Sequence, residues 1–249
     1  VKQLNNFGDR GRASKALIAV GAPAEKELLK LVNDPAADQG ARDEAARILK
    51  AIGSKENVGV TSALANLGNA DAGRRRDAAR TLAEMKAPDK GKQAEVAAAL
   101  LRTVSDSDAG VREQAAKALV VWATPEQTPD LLRLLDNMQA PVRQSAMLAL
   151  GKLQEEKAAA PIAAHLLLGE DRRAAGDALR ALGPKAETEV AKYLAARDKA
   201  VVLDACKILG DIGTKKSVLV LKRVVALTQA KQKDIAVAAS LAIQQISSR

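Results

Sequence analysis

Few side chains in this sequence are suited to covalent or metal chemistry, and each stands alone. Among 249 residues, Cys206 is the one thiol and His165 the one imidazole. A single cysteine excludes a disulfide framework and a Cys-rich zinc site; a single histidine excludes multi-histidine metal centres. Any Ser–His–Asp or Cys–His arrangement has only His165 to draw on. That residue sits in the run Ile162-Ala163-Ala164-His165-Leu166, which predicts a semi-buried structural group. Neither the phosphate-binding pattern Gly-x-x-x-x-Gly-Lys-Ser/Thr nor the nucleophile pattern Gly-x-Ser-x-Gly occurs. Glu155 and Glu156 are adjacent, so on a helix they point apart and do not form an acid–base pair. The aromatic residues are Phe7, Trp122 and Tyr193, too few and too scattered for base stacking along RNA or single-stranded DNA. No cofactor and no metal is expected, and the chain reads as a non-enzyme.

The elements that carry these residues repeat. The pattern Ala-x3-Leu-x2-aliphatic recurs at Ala13, Ala45, Ala78, Ala115, Ala146, Ala175, Ala205 and, with Ile243 for leucine, Ala239, at steps of 29 to 37 residues. Positions i, i+4 and i+7 share one face of a helix, so each copy predicts a buried stripe. Between copies lies a shorter, leucine-rich segment, such as Leu28-Leu29-Lys30-Leu31 or Leu166-Leu167-Leu168. Turn residues separate the two. Gly21, Gly53, Gly183 and Gly213 stand where a left-handed helix cap is wanted; Pro23 and Pro184 suit a first helical turn; Thr124 and Gln127 have capping-box spacing. Each unit is therefore helix, turn, helix. Neither helix buries its stripe alone, and stacking buries both. The reading is all-α: an α-α superhelix of about seven helix pairs plus a terminal helix near 234–246. Residues 1–249 are expected to form one solenoid domain with an unstructured tail at 1–8, and the start at Val1 with no signal pattern after it gives the expectation of a piece cut from a longer protein.

The units resemble HEAT repeats, specifically the short repeats of phycobilisome-lyase proteins. The family's first helix pattern, Asp then Val-Arg, Ala-Ala and Leu-Gly, is matched by Asp108, Val111, Arg112, Ala115, Ala116 and Leu119, and again by Val142, Arg143, Ala146, Leu150 and Gly151. The resemblance spans about Arg10 to Ile246. It implies an interaction scaffold whose second helices line a concave face. It supplies no chromophore site that maps onto this chain.

Aligned repeats give each notable residue a column. Cys206 shares its column with Ser14, Ala46, Ala79 and Ala116, which predicts small-residue packing. Trp122 shares one with Val20, Ile52, Leu182 and Ile212, which predicts core, with one partner needed for its N–H. Arg10, Arg42, Arg75, Arg112, Arg143 and Arg172 form a column; Asp38, Asp71 and Asp108 stand four residues before three of them, and Asp198 holds the same place in a later repeat. The expected use is a ladder along the stack, each aspartate capping a helix and also accepting from an arginine.

Charge is uneven. Of the net +9, residues 212–249 hold +6, seven basic residues against Asp234 alone. The last helix is apolar on more than one side, unlike a polar cap, so either further repeats follow or this end docks a partner or second copy. The longest uncharged runs, 57–70 and 235–248, are 14 residues each, below the roughly 20 of a membrane span. The cytoplasm is the favoured compartment; oligomeric state is left open. The function expected is binding of a protein or peptide on the concave face, through Lys26, Lys30, Asn57, Lys92, Arg133, Tyr193, Lys222 and Arg223 of second helices. The alternative is sequence-independent binding of nucleic-acid phosphate by the basic C-terminal repeats.

Overall fold

The computed structural model describes residues 1–34, 36–54, 58–85, 90–228 and 230–249. Among them, every regular element is helical. Two compact units divide the chain, Val1–Trp122 and Ala123–Arg249. The first holds α1 (Arg10–Val20), α2 (Glu25–Asn33), α3 (Gln39–Ala51), α4 (Val58–Asn66), α5 (Ala72–Ala83), α6 (Gln93–Thr103) and α7 (Ala109–Trp122). The second holds α8 (Thr128–Leu134), α9 (Ala140–Lys152), α10 (Ala159–Ala164), α11 (Arg172–Leu182), α12 (Glu187–Ala191), α13 (Lys199–Ile212), α14 (Lys215–Thr228) and α15 (Lys233–Ser247).

Longer first helices alternate with shorter second ones as far as α12, and α14 is as long as α13. In the first unit α5 packs on α7 and α2 on α3; in the second α9, α11, α13 and α15 pack in series. This is an α-solenoid, the fold class the repeat predicts. The predicted stripe is its core: Ala45, Leu49, Leu82, Ala115, Leu150, Ala175, Leu179, Ala205 and Leu209 are all fully buried. Each buried leucine contributes about 1.5–3 kcal/mol, so the stripe dominates the stability of every repeat.

Several local expectations are corrected. The predicted tail is ordered at Lys2–Asn5, a short 3-10 helix whose Leu4 is fully buried, and Arg10 Nε donates to the Leu4 carbonyl at 2.9 Å. One leucine with a core slot suffices to order the segment. Val20, in a core column, is 53% exposed at the last position of α1. Gly21, Gly53 and Gly183 do adopt positive φ, but Gly213 does not: its φ is −67°. Gly213 is small for another reason, since a Cβ there would lie 2.4 Å from the Leu209 carbonyl oxygen. Gln154 takes a left-handed φ of 58° at the end of α9. The second helices of the later repeats are also interrupted: α10 and α12 run into 3-10 turns at His165–Leu167 and Lys192–Ala195.

Candidate functional site

The arginine column forms a ladder, and its rungs join neighbouring repeats. Arg10 bonds Asp38; Arg75 bonds Asp106 through two nitrogens at 2.7 and 2.9 Å; Arg143 bonds Asp171 at 2.7 Å; Arg172 bonds Asp198 at 3.0 Å. These four arginines reach a carboxylate one repeat on, Arg75 doing so rather than bonding Asp71 four residues before it; Arg42 instead bonds the Gln39 side chain and Arg112 the Asp106 and Ser107 carbonyls. Remaining N–H groups clamp the preceding turn, as those of Arg143 do at the Asn137 carbonyl, 2.8 Å, and of Arg75 at Asn69, 2.8 Å. Asp38, Asp71, Asp108 and Asp198 cap their own helices through backbone N–H groups of Ala41, Arg74, Val111 and Ala200. The guanidiniums of Arg10, Arg75, Arg143 and Arg172 are paired within the fold, so these four do not form a free stripe for phosphate.

His165 belongs to the same ladder. Its Nδ1 lies 2.9 Å from Asp171 Oδ2, the oxygen that also accepts from Arg143. Asp171 is fully buried. Burial alone would raise its pKa, but hydrogen bonds from Arg143 and His165 outweigh that and hold it below the usual carboxylate range. Sequence reasoning missed Asp171 because it lies outside the aspartate column; its place directly before Arg172 carried no signal. A second missed carboxylate is Glu187, at the start of α12. It accepts from Thr214 N at 2.8 Å and from Ser217 Oγ at 2.6 Å, capping α14 from the previous repeat. Burial opposes the ionised form of Glu187 and these bonds overcome it, so its pKa is also lowered.

Trp122 is fully buried, and its N–H donates to the Leu82 carbonyl at 2.9 Å. Cys206 is fully buried, and burial pushes its thiol up to about 11. A thiolate is the reactive species, so Cys206 is expected to resist an aromatic disulfide reagent at about pH 8 while the protein is folded and to react within seconds to minutes after denaturant is added. Equal labelling rates in both conditions would contradict that packing. Among the described residues, no group of three or more His, Cys, Asp or Glu is placed to hold a metal ion. No described helix is long and apolar enough to cross a membrane.

The expected binding residues scatter. Lys26 and Lys30 lie one turn apart on α2, exposed, around a shallow hollow of about 710 Å³ shared with Leu29 and Asn33. Lys30 is paired with Glu27 at 2.7 Å. Lys92 precedes α6 and is half-buried. Arg133 is exposed on α8 and paired with Asp130. Tyr193 is half-buried in the turn after α12, where burial raises its phenol pKa. Lys222 and Arg223 are exposed side by side on α14. Asn57 lies outside the described residues.

A feature the sequence did not reveal is a hollow of about 660 Å³ between α3, α4 and α5. The small residues Gly59, Ser62 and Ala63 of α4 make room for it. Three of its four charged side chains are paired, Arg47 with Glu44, Arg74 with Asp43 at 3.6 Å, and Asp77 with Arg80 at 2.9 Å; the fourth, Lys50, is exposed. It is a recess with a largely apolar wall and mostly paired charges, which does not make an anion cradle.

A family model of HEAT repeats matches residues 60–147 and 96–183. The chain belongs to that family. Two engineered proteins of known structure are similar to it, each at 19% identity: one with a TM-score of 0.51 over 76% of this chain and 96% of that one, the other 0.52 over 96% and 74%. The complex of CpcE and CpcF of phycocyanin lyase from Nostoc sp. PCC7120 is similar at 21% identity over 89% of this chain and 94% of that one, with a TM-score of 0.46. Comparison with curated protein sequences returned no match.

Proposed function

We propose that the chain is a non-catalytic scaffold, a single solenoid over residues 1–249 that binds a protein or peptide on the face formed by its second helices. The observation that carries this is the outer side of α14. Leu219 is 76% exposed there, with Lys222 and Arg223 one turn on at i+3 and i+4. An exposed apolar anchor flanked by cations suits a protein surface that offers an apolar pocket and carboxylates. The alternative, sequence-independent binding of nucleic acid, is favoured by the +6 of residues 212–249. Leu219 and the 73%-exposed Leu227 weigh against it, because a leucine gains nothing from phosphate.

The test is capture from a lysate of the source organism, with and without nuclease. It compares the native chain with the triple variant Leu219→Asp, Lys222→Glu, Arg223→Glu. A defined set of proteins is expected to survive nuclease and moderate salt, and to fall by about tenfold or more with the variant. A nuclease-sensitive capture that declines steeply with salt would transfer the assignment to phosphate binding.

A further inference from the structure

The repeat formed by α3 and α4 meets the next one differently from the rest of the first unit. α1 packs on α3, and α5 packs along α7. Among the described residues α3 and α5 have far less direct packing, and α4 lies against both instead. The small-residue column records the gap. Ser14, Ala79 and Ala116 are buried, whereas Ala46 is half-buried and lines the hollow of about 660 Å³ between α3, α4 and α5.

The ladder changes at the same place. Asp106 takes two bonds from Arg75 and also accepts from the Asp108 N–H at 2.9 Å. Asn69 holds the equivalent place one repeat earlier and accepts from the Asp71 N–H at 2.9 Å, but its side chain is a neutral amide. It donates to Gln39 Oε1 at 2.9 Å, and that same oxygen accepts from Arg42 at 2.5 Å. Among the described residues no carboxylate pairs with Arg42, although it is only 5% exposed. The ion pair that does span the joint, Arg74 with Asp43 at 3.6 Å, is loose and half exposed. Among the described residues, the buried side-chain polar atoms without a hydrogen-bond partner are Arg42 Nε on α3 and Thr61 Oγ1 on α4. Both belong to this repeat. A buried donor or acceptor without a partner is costly, and water admitted by opening would satisfy it. Opening here therefore loses little packing and recovers bonds. Opening between α5 and α7 would break a packed face and a charged rung.

We propose that the junction of α3 and α4 with α5 is a hinge of the first unit. The repeats on either side turn about α4, and the hollow widens and closes as they do. Gly59, Ser62 and Ala63 give α4 room to shift. The inference concerns how the solenoid moves and holds whatever the chain binds.

Nitroxide pairs test it in the full chain. Arg47, Arg80 and Lys117 occupy the same register on α3, α5 and α7, and each is exposed and ion-paired within its own helix. In a Cys206→Ala background, Arg47→Cys with Arg80→Cys spans the hinge. Arg80→Cys with Lys117→Cys spans a packed junction. Short-range dipolar EPR of frozen samples is expected to give a distance distribution at least about twice as wide for the first pair as for the second. Asn69→Asp supplies Arg42 with the carboxylate that Asp106 gives Arg75. It is expected to narrow the first distribution towards the second, and to raise the thermal midpoint by at least about 3 °C at unchanged helix content. Equal widths for the two pairs, measured without any change at Asn69, would overturn the proposal. So would a first distribution that stays as wide in a folded Asn69→Asp chain, since the missing rung would then not be what frees the joint.

Discussion

Replacing Trp122 by alanine is expected to destabilise the first unit by about 3–5 kcal/mol and to lower its thermal midpoint by roughly 10 °C. The indole is fully buried where other repeats place an aliphatic side chain of half its size. Two losses combine. The large ring leaves a cavity that the closely packed α5 and α7 close only in part. The Leu82 carbonyl, in the last turn of α5 where carbonyls lack a donor within the helix, loses its bond from the indole N–H. Thermal denaturation followed by circular dichroism measures the effect. Met138→Ala, at a side chain 98% exposed, serves as the control and should change stability by no more than about 0.5 kcal/mol. A Trp122→Ala midpoint within a degree or two of the native chain would mean that the indole is not a core residue.

Replacing Asp171 by asparagine is expected to cost about 3 kcal/mol, the lower end for breaking a buried ion pair. The lower end applies because Arg143 keeps Glu170 at 2.6 Å and two backbone carbonyls. What it loses is the fully buried carboxylate that also receives His165. The pH dependence follows from the direction of the shift. The pKa of Asp171 is lower in the folded chain than in the unfolded one. Its contribution is thus complete above the unfolded pKa and disappears as pH falls through the lowered folded value. Titrating stability from neutral pH into acid should therefore give a shallower decline for Asp171→Asn than for the native chain. Parallel curves would show that the carboxylate is not ionised, or not paired, in the fold.

The ladder shows why part of the site was legible and part was not. The arginines could be found because they recur three residues before the alanine of every stripe up to Arg172. The aspartates could be found because an N-cap has a fixed offset from the helix it caps. Which arginine meets which carboxylate could not be found, because partners lie 26 to 31 residues apart and the distance depends on how repeats stack. Asp171 and Glu187 escaped for that reason. Each bonds groups on a neighbouring repeat, and neither occupies a position whose local spacing announces a role. Lys26, Lys30, Lys222 and Arg223 were legible as basic residues of second helices, and the structure gathers them as two separate pairs.

The amino-acid sequence alone determined the helix pairs, the core columns, the turn glycines and the basic end. These follow from periodicities within a dozen residues, and a helix imposes them wherever it forms. Only the tertiary structure decided that Leu4 is held, that Gly213 is small for contact rather than for φ, and that Val20 is left outside. It alone placed His165 on a buried carboxylate. Those outcomes depend on which surfaces meet when one repeat settles against the next, and no local pattern encodes that contact.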